Sequence, residues 1–200
     1  SFGLLMAYLS AAPFVLRNVL GMGTVAYTAV FGLCGATVTV TIAVAASLVR
    51  RFSQARQVRV GLIVVLVVDT VFAAVCLMWL REPVTGPERM PLLVAVVVLF
   101  LAHVACLGLA MGNAPALALD RTGRWAGTGS ALLGFLQFVV GGLVSPLVGL
   151  TGEASGVAFG VVIVAVGAIA NILAVFGLRE RGEKQRLAAE ETERRRRLGQ

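Results

Sequence analysis

Four stretches of this sequence, residues 18–49, 90–119, 125–152 and 154–178, contain no Asp, Glu, Lys or Arg. Each exceeds the ~20 residues that an α-helix, rising ~1.5 Å per residue, needs to cross a ~30 Å hydrocarbon core. The composition agrees, at 58% hydrophobic, 14% charged and a mean hydropathy of +0.93. Ordinary globular chains run at roughly 45–50% apolar and about 25% charged. The chain therefore reads as an all-α, polytopic membrane protein.

Six transmembrane spans can be drawn, at about 2–22, 24–49, 58–80, 91–113, 127–150 and 154–178. The second connection carries Arg50, Arg51, Arg56 and Arg59, and the third has two prolines and a glycine between Arg81 and Arg89. Such residues stop helices at both ends. The fourth carries Asp120, Arg121 and Arg124, while the first and fifth are tight turns at Gly21-Met-Gly23 and Thr151-Gly152-Glu153. Residues 1–178 form a membrane domain and 179–200 a charged tail. The chain opens on Ser1 in apolar sequence, with its first basic residue, Arg17, after the apolar run. A signal peptide has the reverse order, so the sequence is expected to be a fragment of a longer protein.

Basic residues near span ends set orientation. Fourteen of them, eight in the tail, fall on one side, against Arg17, Arg81 and Arg89 on the other. Both ends are expected to be cytoplasmic, in a cell (inner) membrane. The tail interleaves five acidic residues with its eight basic ones, which dilutes its field. It reads as a solvated segment that enforces topology, and no nucleic-acid partner is expected. Cys34, Cys76 and Cys106 all lie in apolar runs, odd in number and too far apart for a metal motif; they read as buried thiols. No phosphate loop, paired carboxylate, HExxH, CxxC or nucleophile elbow appears, so neither an enzyme nor a cofactor is expected.

The polar residues inside the spans are more specific. Gly108 and Gly112, and Gly156 and Gly160, are spaced for close helix packing. In the fifth span Ser130, Gly134, Gln137, Gly141 and Ser145 share one stripe, opposite Leu132, Leu136, Val139 and Leu143. An amide cannot face hydrocarbon unsatisfied, so Gln137 looks into the bundle, as interhelical glue or as a cavity contact. Asp69 and His103 lie mid-membrane, each about ten residues from the cytoplasmic end of its helix. Ionisable groups at that depth are functional candidates. They are expected to form a structural pair, or a candidate proton-titrating site, with a protonated Asp69 as a further alternative.

Three segments carry a family resemblance. They are Tyr8-Leu-Ser-Ala-Ala-Pro-Phe-Val-Leu16, Gly112-Asn-Ala-Pro-Ala-Leu-Ala-Leu119 with Ala126-Gly-Thr-Gly-Ser-Ala-Leu-Leu-Gly-Phe-Leu-Gln137, and Gly141-Gly-Leu-Val-Ser-Pro-Leu-Val-Gly149. Together they resemble the C-terminal half of Bcr/CflA-type drug-efflux transporters of the major facilitator superfamily. Asp69 and His103 match no motif of that family. The resemblance implies one half of a major facilitator fold, a 3+3 inverted repeat, rocking against an opposite half around a midplane site. It also implies proton-driven export of small amphipathic, often cationic drugs, with Tyr8, Phe31, Asn113 and Gln137 on the substrate side. The expected partners are the drug, the proton, the lipid bilayer, and a missing N-terminal six-helix half or a second copy. The alternative is a membrane-embedded binding or scaffold remnant that transports nothing itself.

Overall fold

A computed structural model of the protein describes residues 1–120, 122–149 and 156–197, with side chains through residue 178. Arg121, the Thr151-Gly152-Glu153 turn and the side chains of the charged tail lie outside the described residues. Six helices match the six expected spans. They are α1 (Phe2–Pro13, continued by a π-helical turn over Phe14–Val19), α2 (Thr24–Leu48), α3 (Gln54–Trp79), α4 (Arg89–Leu119), α5 (Ala126–Val148) and α6 (Val157–Arg197). A 3-10 turn, Gly123–Trp125, leads into α5.

Three boundaries differ from the sequence reading, each for a local reason. Helix α3 begins at Gln54, not near 58, because the Ser53 hydroxyl accepts the Arg56 N–H at 3.3 Å and caps the first turn. Arg56 and Arg59 thus belong to the helix. Helix α4 passes through Pro115 to Leu119 instead of stopping at 113. A proline removes one backbone donor, yet the Asp120 N–H still reaches the Ala116 carbonyl at 3.0 Å. Helix α6 runs past 178 to Arg197 without a break, so charge changes at that point while the backbone does not.

Helix α1 widens after Pro13. The Leu20 N–H donates to the Val15 carbonyl at 3.0 Å, and the Met22 N–H to the Leu16 carbonyl at 2.8 Å; the first of these is the five-residue reach of a π turn. The chain then reverses at Gly21, whose φ of +61° favours a residue without a Cβ. Arg89 holds this corner, donating from Nε to the Leu20 carbonyl at 2.7 Å and from Nη2 to the Gly21 carbonyl. One residue at the head of α4 thereby fixes the end of α1.

Helix α1 is the centre of the bundle. Half of its span is buried, against 11% for α2 and 11% for the apolar stretch of α6. The closest pairings are α3 with α4 and α6, α2 with α4, and α1 with α5. Lipid offers no hydrophobic drive for helices to associate, so close backbone approach must supply contact. Glycines sit at those crossings: Gly108 against Thr41, Gly160 against Ala73 and Cys76, and Gly141 against Met6. At Gly61 an added Cβ would lie 3.0 Å from the Cys106 carbonyl. The packing role expected for Gly108 and Gly160 is what the structure shows. Four aromatic residues close the core: Phe72 stacks on Phe100 at 5.0 Å, with Phe159 and Tyr8 set edge-on at 5.1 Å.

On α2 the outward hydroxyls are satisfied locally. Thr28, Thr37 and Thr39 of α2 each donate to the carbonyl four residues back at 2.8–2.9 Å. This bond lets an exposed hydroxyl lie against hydrocarbon. On α5, Leu132, Leu136, Val139 and Leu143 are exposed, while Gly141 is buried and Gln137 half-buried. The stripe read from the sequence turns inward over Gln137, Gly141 and Ser145, while Ser130 at its start is exposed.

Candidate functional site

The polar and aromatic residues singled out in the sequence fall into three places. The first is a seam between α1 and α2. Tyr8 is buried, and its ring stacks on Phe31 at 6.4 Å and 9°. Phe31 is 38% exposed, so the seam offers an aromatic face on its open side. Tyr27 continues it, 5.8 Å from Phe31, and the Arg17 guanidinium lies 5.9 Å from the Tyr27 ring. A ladder of rings already holding one guanidinium is a surface suited to organic cations.

The second place is a cavity of about 330 Å³ between the start of α1 and helices α4, α5 and α6. Pro115, Leu133, Val140, Ile169 and Leu173 are among its walls, and Gln137 is its one amide. Gln137 meets no hydrogen-bond partner among the described residues. Ser1 also lines it, and a mostly apolar pocket of this size with an adaptable amide has the form of a small-molecule site.

Asn113 stands apart from both. It is buried, and its Nδ2 donates to Gln57 Oε1 at 3.1 Å and to the Leu109 carbonyl at 2.9 Å. Gln57 in turn donates to the Phe52 carbonyl at 3.2 Å. The donor half of the Asn113 amide is thus engaged within the bundle, joining α4 to α3. The structure brings Tyr8 and Phe31 together; it does not gather Asn113 and Gln137 beside them.

The third place joins Asp69 and His103, as their matched depth foretold. His103 Nδ1 and Asp69 Oδ1 are 2.6 Å apart, and both residues are buried. The spacing is within one turn of the aromatic cluster, since Phe72 and Phe100 lie three residues along the same helices. Tyr8 links this pair to the seam, with its ring 6.0 Å from the imidazole.

Two contributors escaped the sequence reading. Asn171 of α6 donates to the Leu62 carbonyl at 2.7 Å and ties α6 to α3. Gln57 lay in what was read as a connection. Both are amides, and a search for charged residues passes over them; a lone amide in an apolar run is the signal that would have found Asn171.

No family model matches the chain, and no solved structure matches it. It is similar to a curated relative, the uncharacterized MFS-type transporter YdgK of Bacillus subtilis (strain 168), at 29% identity over 172 residues. The match covers 86% of this chain and 40% of that protein, so the chain spans about two fifths of the relative's length. Six helices long and apolar enough to cross a membrane, together with this likeness to a protein described as an MFS-type transporter, are consistent with half of a transporter of that kind.

Proposed function

We propose that the chain is the C-terminal six-helix half of a secondary active multidrug efflux transporter of Bcr/CflA type, working by drug/proton antiport. In this reading both ends are cytoplasmic, and a second six-helix body, a preceding half or another copy, supplies the opposite wall of the cavity. Two separate contact points serve an amphipathic drug: the aromatic face of Phe31, backed by the buried Tyr8, at the seam, and the adaptable Gln137 amide in the cavity. Asn113, held by Gln57, joins α4 to α3 away from both points. The observation that carries the reading is the Gln137 amide, without a hydrogen-bond partner among the described residues, on the wall of a cavity whose other lining residues are apolar except Ser1. Interhelical glue would have a partner across the helix interface.

Gln137→Leu tests this when the chain is paired with the body that completes the transporter. A glue amide contributes about 0.6 kcal/mol on average and at most about 2, so its loss would lower stability. A substrate contact costs nothing in stability, because leucine fits either setting. The expected result is a changed resistance profile for ethidium and tetraphenylphosphonium at near-normal membrane abundance. Val139→Leu, on the exposed face of the same helix, alters neither. Unchanged resistance with a lowered melting temperature in detergent assigns Gln137 to packing.

A further inference from the structure

The Asp69–His103 contact leaves two atoms unanswered. Asp69 Oδ2 and His103 Nε2 are both buried and have no hydrogen-bond partner among the described residues. Oδ2 lies against α6 at Gly167, where an added Cβ would sit 3.5 Å away and where the backbone offers no spare donor. A pair whose only task was to join α3 to α4 would have these positions filled, since a buried polar atom without a partner costs about 1–3 kcal/mol. An apolar pair of equal volume would join the helices with no such cost.

The surroundings contain nothing that fixes the charge of the pair. From α1 the facing titratable group is Tyr8, with Cys34 of α2 near its hydroxyl. From α4 it is Cys106, and from α3 itself Cys76 lies about two turns away. Helix α6 presents Gly167 and no titratable side chain, and α5 presents none. The described arginines, Glu82, Glu88 and Asp120 all sit at helix ends or in connections. With a carboxylate and a neutral imidazole, the pair would bury one uncompensated negative charge.

We propose that Asp69 and His103 together form a proton-binding site. One proton from water adds to the lone pair of His103 Nε2, forming an N–H bond and taking the pair from a charge of −1 to zero; release reverses the step. The loaded pair is neutral, so it suits a dry, closed bundle. The empty pair needs water at Nε2 or Oδ2, which the packing of α1, α4 and α6 excludes. Loading is thereby tied to the separation of those helices. Tyr8 is the single ring between this site and the open aromatic face at Phe31. The place of this proton in a transport cycle rests on the efflux reading above; the binding itself does not.

His103 is the only histidine in the chain, so imidazole 15N labelling of untagged protein in nanodiscs reports this site alone. The full 200-residue chain is used. The expected result is a one-proton transition of the ring nitrogens within the pH range over which the chain stays folded. Asp69→Asn should weaken that proton's binding about tenfold or more, through loss of the adjacent negative charge. A ring that keeps one tautomer unchanged across that range in the wild-type chain overturns the proposal, whether or not the variant folds. So does a transition that Asp69→Asn leaves in place. Tetraphenylphosphonium, added to the labelled chain assembled with an unlabelled second six-helix body, then separates the two readings. A shifted midpoint supports both, whereas an unshifted one beside an intact transition supports the proton site and contradicts the drug reading.

Discussion

Gly108→Ala separates a steric role for the small-residue motif from a merely conformational one. A Cβ at Gly108 would overlap Thr41 Oγ1, and would lie 2.8 Å from Thr41 Cβ and 3.2 Å from the Val38 carbonyl. Rotating Thr41 away gives no clean escape. Its hydroxyl donates to the Thr37 and Val38 carbonyls at 2.9 and 3.0 Å, and its own Cβ and the Val38 backbone stay in place. Helices α2 and α4 must therefore move apart. Two effects then compete. Alanine gains up to about 1 kcal/mol in helix propensity over glycine, and overpacking a tight contact costs about 1–3 kcal/mol. Packing wins, with a net loss of about 1–2 kcal/mol, or a fall of roughly 3–6 °C in melting temperature for a chain of this size. The assay is thermal unfolding in detergent. Gly32→Ala has open space around its new methyl and should match or exceed the parent. Thr41→Ala added to Gly108→Ala should recover part of the loss. A Gly108→Ala protein as stable as the parent, or a Gly32→Ala protein equally weakened, would refute the packing argument.

Two further outcomes follow from the same geometry. Asn113→Ala removes the donor to Gln57 Oε1, so it should lower stability by about 1–2 kcal/mol; Gln57→Ala should do the same, and the double variant should cost less than the sum of the two. Detergent melts of the four proteins check this. In a background without the three native thiols, single cysteines at Thr85 and Gln185 should react with an impermeant maleimide from opposite sides of the membrane. Labelling of both from one side of intact cells would overturn the six-span topology.

How far the sequence could be read depended on whether a feature lay along one helix or between two. The spans were legible because a run such as 90–119 holds no charge at all, and hydrocarbon penalises charge severely. The Asp69–His103 contact was legible for a geometric reason: two residues equally far from the same end of their helices lie at the same depth. The inward part of the α5 stripe, from Gln137 to Ser145, followed from its period. Other features depended on crossings that no single segment encodes. Asn113 and Gln57 are 56 positions apart, and only the packing of α3 on α4 brings them together. The Tyr8–Phe31 stack depends on how α1 leans on α2, and the end of α1 on an arginine 68 residues later. The π turn after Pro13 could have been suspected from the proline, but its placement depends on that anchored corner.

The two-body requirement is the centre of the account, because alternating access needs two walls moving about a shared site and six helices provide one. The direct measurement is pH-gradient-driven ethidium flux in proteoliposomes, comparing the monomeric chain with the same chain joined to a second six-helix body. Flux should appear only with two bodies, and should fall in Gln137→Leu. Flux from the verified monomer, equal per chain to that of the joined form, would contradict it.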